Sequence, residues 1–124
     1  MGLACSSEIE RLKSKRRDKF DDAKKKLEEK RQTREVINQW DSLIENSFNE
    51  EDKERLRINR VEVTLKYDDL KSTINRQLSD CANITDRIQE LKLRNILNEE
   101  NENQIRREAE QNKQEYNELL RTNT

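Results

Sequence analysis

The sequence predicts an all-α fold, a long helical hairpin with coiled-coil character, on the basis of three observations. The 124 residues include no proline, and the only glycine is Gly2, so the chain lacks the residues from which globular folds build many of their turns. Charged residues make up 43% of the chain and hydrophobic residues 30%, which leaves few side chains for a wide core. Apolar residues still recur with helical periodicity, which together with a net charge of only −1 argues against complete disorder. We expect a helix over residues 7–46, a loop over 47–50 and a long helix over 51–121.

The first predicted helix contains a basic amphipathic segment, residues 8–46. Ser7 and Glu10 have the spacing of a capping box, which favours a helix start directly behind the N-terminal segment. The apolar residues follow a 3.6-residue period, sparsely at first and more densely after Val36. We therefore expect the first half of this helix to face solvent or a membrane and the second half to contact protein.

Residues 46–52 offer the best position for a break between the helices. Asn49 stands before an acidic triplet at 50–52, a pattern typical of a helix start, and Ser47 with Glu50 offers a second capping box. The apolar positions on the two sides of this stretch are two residues out of step. A loop here lets the two apolar stripes meet, whereas a continuous helix would turn them to different sides.

The second predicted helix, residues 51–121, carries the strongest pattern in the chain. Counted strictly by sevens from Arg60, twelve of the eighteen a and d sites are apolar. A strict seven-residue repeat predicts a left-handed coiled-coil seam. We expect partner helices, in a homo- or hetero-oligomer, to bind along this seam through nine residues: Leu56, Val63, Tyr67, Leu70, Ile74, Cys81, Ile84, Ile88 and Leu91.

Two stretches of the second helix weaken the pattern. Residues 79–86 are rich in Ser, Asp, Asn and Thr, and a break there would give a three-helix bundle, but the heptad phase stays intact across them and favours a continuous helix. Further on, Asn95, Asn98 and Glu102 place three successive polar layers in the seam. Buried without partners, such groups would cost a few kcal/mol each, so we expect loose or hydrated packing there.

The N-terminal segment, residues 1–7, matches the pattern for N-myristoylation, with Gly2 as acceptor and Ser6 at the sixth position. Cys5 offers a thiol for a second acyl chain. One myristoyl chain binds a membrane only weakly, so stable residence needs a second signal. A basic run over residues 11–26, with a net charge of +6, would bind an anionic leaflet through nine side chains: Arg11, Lys13, Lys15, Arg16, Arg17, Lys19, Lys24, Lys25 and Lys26.

Gly2, Cys5, Ser6 and Ser7, followed by basic residues, resemble the dual-acylation leaders of the Src-family kinases and other small peripheral membrane proteins. The resemblance covers only about ten residues, and no kinase domain follows. It implies myristate on Gly2, palmitate on Cys5 and a peripheral position on the cytoplasmic face of a membrane.

Charge is distributed unevenly along the chain. Residues 98–118 hold seven acidic side chains against three basic ones, a net charge of −4, whereas the basic run lies near the N-terminus. An anionic membrane would attract the N-terminal end and repel the far end, which favours a rod that stands away from the bilayer.

The sequence argues against an enzyme, a cofactor, a metal and a small-molecule substrate. It has no histidine, the commonest general base, and no glycine-rich phosphate loop. Its carboxylates stand near Lys or Arg at helical spacing, and Cys81 occupies a core-type a site. Nucleic-acid binding of the basic-zipper kind is not expected, because acidic residues interrupt the basic run and the heptads begin out of phase after a loop.

These observations predict a lipid-anchored helical scaffold or tether on the cytosolic face of a membrane, binding partner helices through the heptad seam. Two alternatives stay open. The hairpin architecture is similar to that of the ESCRT-III family, which implies a membrane-remodelling assembly subunit. Gln77 at a d site between apolar layers is similar to the bundle helices of SNARE proteins.

Overall fold

The computed structural model describes the backbone of residues 3–95 and 99–124 and the side chains of residues 6–95 and 100–124. In these ranges the chain forms three α-helices: α1, Leu3–Glu45; α2, Glu50–Leu93; and α3, Glu99–Thr122. The α1 and α2 helices pack antiparallel, and α3 turns back along α2. The predicted all-α helical hairpin is therefore confirmed, with an additional third helix beside it.

The turn between α1 and α2 lies where the sequence predicts it. Asn49 has an extended backbone, and its side chain accepts a hydrogen bond of 2.8 Å from the backbone nitrogen of Glu51. The acidic residues of the first turn of α2 interact favourably with the positive end of the helix dipole and so stabilise the start of the helix. At the other end, α1 begins at Leu3, four residues before the predicted cap, so Ser7 lies inside the helix.

The predicted continuous helix over 51–121 is wrong. The second helix stays intact across residues 79–86, as preferred, but it ends at Leu93, and α3 begins only at Glu99. The break falls in the polar layers. Asn95 follows the C-cap residue Arg94, and its side-chain nitrogen donates to the carbonyl oxygen of Leu91 at 3.1 Å, while Asn98 lies outside the described residues. Ending the helix here keeps polar side chains out of a buried seam and frees the later apolar residues to fold back.

The core lies in the part of the hairpin that α3 covers. A first cluster joins Ala23 of α1, three residues of α2 and Tyr116 of α3, with the Phe20 and Tyr116 rings packed edge to face at 5.3 Å. A second, smaller cluster joins α1 and α2 near the N-terminal end of the bundle and contains Ile9, Leu12, Ile88 and Leu91. Each fully buried aliphatic side chain contributes about 1.5–3 kcal/mol, so these clusters account for most of the attraction between the helices.

The buried stripe of α2 is wider than a two-stranded heptad seam. Leu78 and Thr85, which the strict count leaves outside the a and d sites, are fully buried, whereas Gln77 at a d site is only half-buried. The reason is α3, which packs on this flank of α2 and covers an extra row of side chains. A three-helix core buries a broader face of each helix than a coiled-coil dimer does.

Candidate functional site

The predicted lipid acceptors fall on the N-terminal segment. Gly2 lies outside the described residues, and Cys5 is in the first turn of α1 although its side chain is not described. In the sequence, Gly2 directly precedes Leu3, where α1 begins. The lipidation itself stays a prediction.

The basic run divides into an outward set and an inward set. Arg11, Lys15, Arg17, Lys24 and Lys25 are exposed. In the part of the chain with described side chains, Lys15, Arg17 and Lys25 make no ion pair, while Arg11 and Lys24 pair only with acids of their own helix. The outward set leaves positive charge available to an anionic surface.

Some residues of the inward set link α1 to α2 instead. Lys19 forms an ion pair of 3.2 Å with Asp80 of α2, and Arg16 donates to the buried Thr85 hydroxyl at 3.1 Å. Lys13 is half-buried and pairs with Glu10 of its own helix at 3.6 Å. The fold therefore already engages part of the predicted set, and membrane contact by the nine basic residues stays a prediction.

Lys26 completes the inward set through Asp22. It pairs with the Asp22 carboxylate, which also accepts a hydrogen bond of 2.5 Å from Gln77 of α2. The hydrogen bond from Lys26 and then that from Gln77 lower the pKa of Asp22. These side chains link α1 to α2 across the polar layer of the heptad seam.

The predicted partner seam contacts the chain's own helices. Five of the nine seam residues are buried, and the other four are half-buried; the five are Leu70, Ile74, Cys81, Ile88 and Leu91. Leu70 apart, these buried residues pack in the two core clusters against α1 and α3. The four half-buried residues keep some accessible surface, and three of them, Leu56, Val63 and Tyr67, lie toward the distal end of the seam; the fourth is Ile84.

The charge separation predicted along a rod is not what the fold produces. Because α3 runs back along α2, the acidic segment lies beside the basic half of α1 rather than at the far end. Glu108 pairs with Lys92 at 3.2 Å, and Lys113 of α3 pairs with Asp86. The far end of the hairpin is instead the turn between α1 and α2.

That far end carries the exposed apolar side chains. Every large hydrophobic residue that is exposed in the described part of the chain lies between residues 36 and 65: Val36, Leu43, Phe48, Ile58, Val61 and Leu65. Phe48, in the turn, has no neighbour that shields it. We call this region the hairpin end, residues 36–65.

One stripe of the hairpin end escaped the sequence prediction. Ile58, Val61 and Leu65 fall on the outer b and f positions of the heptad and are all more than half exposed. Their spacing of three and four residues was a visible signal, which the stronger a and d pattern hid. Apolar stripes of this kind on a helix surface are typical of contacts with another helix.

A polar cluster where α3 ends also escaped the sequence prediction. Lys30 is only 4% exposed, and its ammonium donates to the Asn123 side chain at 2.8 Å and to the Thr124 carbonyl oxygen at 3.3 Å. The Asn123 amide in turn donates to the Lys71 carbonyl and to Asn75, at 2.9 and 2.8 Å. These bonds lock α3 to both helices of the hairpin, and no short-range sequence signal relates residues 93 positions apart.

Two buried acidic groups of the core have altered pKa values. Burial raises the pKa of the Cys81 thiol, although Lys19 and Arg16 nearby oppose the shift. Burial likewise raises the pKa of Tyr116, whose hydroxyl hydrogen-bonds with that of Thr85 at 3.4 Å. A protonated, enclosed thiol is a poor nucleophile, so Cys81 is a packing residue.

We expect Cys81 to make stability fall as the pH rises above its usual thiol pKa of 9.0. The unfolded thiol ionises there while the folded thiol stays protonated. Ionisation stabilises the unfolded state relative to the folded one, so the free energy of unfolding falls by up to about 1.4 kcal/mol per pH unit. Urea unfolding of the wild type and of Cys81→Ala between neutral pH and a pH above 10 tests this. The stability difference between the two proteins should shrink with pH, and parallel curves would contradict the assignment.

Two kinds of feature are absent from the described residues. No helix in the described ranges combines the length and apolarity needed to cross a bilayer. No group of three His, Cys, Asp or Glu side chains in those ranges is placed to hold a metal ion.

Comparison with known proteins adds no relative: no family model, no curated protein and no solved structure matches the chain.

Proposed function

We propose that the chain is a lipid-anchored helical tether on the cytosolic face of a membrane, which presents the hairpin end to a partner helix. One observation carries this proposal: α1 begins at Leu3, directly after the predicted acceptor in the sequence, and the exposed apolar residues lie at and beyond its other end. The 43 residues of α1 span about 65 Å at 1.5 Å per residue. A group fixed to a membrane at one end would hold the apolar end well clear of the headgroups.

The outward basic residues support the anchor. Each basic residue close to an anionic leaflet contributes about 1 kcal/mol before screening by salt, and five such residues surround the first half of α1. A single myristoyl chain is marginal by itself, so this contribution decides whether binding persists. Palmitate on Cys5 would strengthen it further.

The groove beside Leu27 and Tyr67 lies beyond the reach of an acyl chain at the start of α1. It is 24 residues along α1 from Leu3, about 36 Å away. An acyl chain spans about half of the 30 Å hydrocarbon core of a bilayer, or about 15 Å. This groove would therefore not compete with a membrane for the acyl chain.

Gly2→Ala tests the anchor. In a eukaryotic cell the wild type is expected in the membrane fraction and Gly2→Ala in the soluble fraction, because no acyl chain can then be attached at the N-terminus. Fractionation followed by immunoblotting measures the distribution. Ser14→Ala, an exposed change on the same helix, is the matched control and should partition like the wild type. Membrane retention of Gly2→Ala would refute the lipid mechanism.

A further inference from the structure

Two grooves open along the line where the three helices meet. The first, about 350 Å³, lies near the end of α2, and its cations are already engaged: Lys13 with Glu10, Lys92 with Glu108, and Arg16 with Thr85. The second groove, about 390 Å³, opens where α3 ends and no longer covers the space between α1 and α2. We call the second one the basic groove; Leu27 and Tyr67 form apolar parts of its wall.

The basic groove carries excess positive charge. Lys24, Lys30, Arg31 and Arg34 line it, and the single acidic residue among the lining side chains, Glu28, already pairs with Arg31 at 2.6 Å. That pairing raises the pKa of Arg31 and lowers that of Glu28, so both stay charged and bound to each other. Lys24 pairs with Asp21 at 3.6 Å, so Lys30 and Arg34 supply the positive charge of the lining that no acidic side chain balances in the described ranges.

Two of these cations share one aromatic ring. The Lys30 ammonium lies 5.1 Å from the centre of the Tyr67 ring, and the Arg34 guanidinium lies 5.8 Å from it. The Lys30 ammonium donates to the Asn123 side chain and to the backbone oxygen of Thr124, and within the described ranges Arg34 forms no ion pair. Burial, and then repulsion from Lys71, lowers the pKa of Lys30.

We propose that the basic groove binds an organic phosphate ester. The phosphate would lie between Arg34 and Lys30, with Lys24 at the rim, because a guanidinium binds phosphate through paired hydrogen bonds and the anion relieves the repulsion between the cations. The apolar part of the ester would pack on Leu27 and Tyr67. The volume falls within the range of small-molecule sites, about 300–1,000 Å³.

The same chemistry can come from a soluble phosphomonoester or from the headgroup of an anionic lipid. These two sources differ in the orientation on the membrane that they require of the helical bundle. A bilayer headgroup reaches the basic groove only if the bundle lies along the membrane, because the groove is about 36 Å from the start of α1. A soluble ester reaches it in any orientation.

An NMR titration of the full chain tests the proposal. We expect phenyl phosphate to produce saturable shifts at Leu27, Arg34 and Tyr67, and to bind more tightly than inorganic phosphate because its ring adds apolar contact. Arg34→Gln should weaken phenyl phosphate binding by about tenfold or more, the loss of one charged hydrogen-bonding partner. Arg34 is exposed and makes no ion pair in the described ranges, so this variant should keep the wild-type melting temperature.

Arg17→Gln is the matched control, an exposed basic residue of the same helix outside the groove, and should bind like the wild type. Shifts that spread over all basic residues without saturating, or equal weakening by Arg17→Gln and Arg34→Gln, would overturn the site.

A vesicle experiment distinguishes a lipid headgroup from a soluble ester. Unacylated protein is sedimented with phosphatidic acid vesicles or with phosphatidylcholine vesicles. Loss of phosphatidic acid binding in Arg34→Gln alone identifies a headgroup, and phenyl phosphate binding with no such loss identifies a soluble ester. Failure of the phenyl phosphate or the vesicle experiment leaves the Gly2→Ala test unaffected, because these two experiments use protein without acyl chains.

Discussion

Replacing Leu78 by alanine is expected to lower the free energy of unfolding by about 2–5 kcal/mol. Leu78 is 0% exposed and lies in the cluster where α1, α2 and α3 meet, so the truncation removes apolar contact and leaves a cavity that tightly packed neighbours cannot fill. Domains of this size have only about 5–15 kcal/mol of stability, so the loss is large. Urea unfolding followed by circular dichroism measures it.

Leu65→Ala is the control for this experiment. Leu65 lies on the same helix but is 63% exposed, so its truncation should change stability by about 0.5 kcal/mol or less. Similar losses for the two variants would contradict the three-helix core. An isolated chain that tolerates Leu78→Ala would show that this face of α2 packs on a partner rather than on α1 and α3.

Replacing Asn123 by leucine is expected to cost about 3 kcal/mol, the second largest effect. The change removes the acceptor for the buried Lys30 ammonium and the donor for Lys71 and Asn75, and hydrogen bonds to charged groups are the most costly to lose. Unfolding by urea measures the loss, and Asn117→Leu, an exposed change on α3, should have little effect.

A double variant identifies the cause of the Asn123 effect. Lys30→Met with Asn123→Leu removes both polar partners and should recover part of the stability lost in Asn123→Leu, because no unpaired ammonium is then buried. Strict additivity of the two single losses would show that Lys30 and Asn123 act independently and that the contact does not hold α3 in place.

Local sequence signals predict the helical hairpin and the turn between α1 and α2 well. Asn49 and the acidic triplet after it place the start of α2, and the change of apolar phase near residue 46 shows why the chain must turn there. Both signals can be read directly from the sequence. Neither depends on which distant residues come into contact in the fold.

The return of α3 depends on distant residues and could not be read in the same way. The polar layer at Asn95 is compatible with a loosely packed helix and with a broken one, and only the packing of Tyr116 against Phe20 and Ala23 decides between them. The same return buries Leu78, which a two-stranded seam leaves outside. It also brings Asn123 to Lys30, which completes the wall of the basic groove.

The central claim is that an acyl group at Gly2 locates this helical bundle. Intact-mass and peptide mass spectrometry of the protein purified from a eukaryotic cell tests it most directly. The account predicts that Met1 is absent and that Gly2 carries a myristoyl group, with a second, thioester-linked acyl chain on Cys5. A retained Met1, or a free Gly2 amine on protein recovered from membranes, would contradict it.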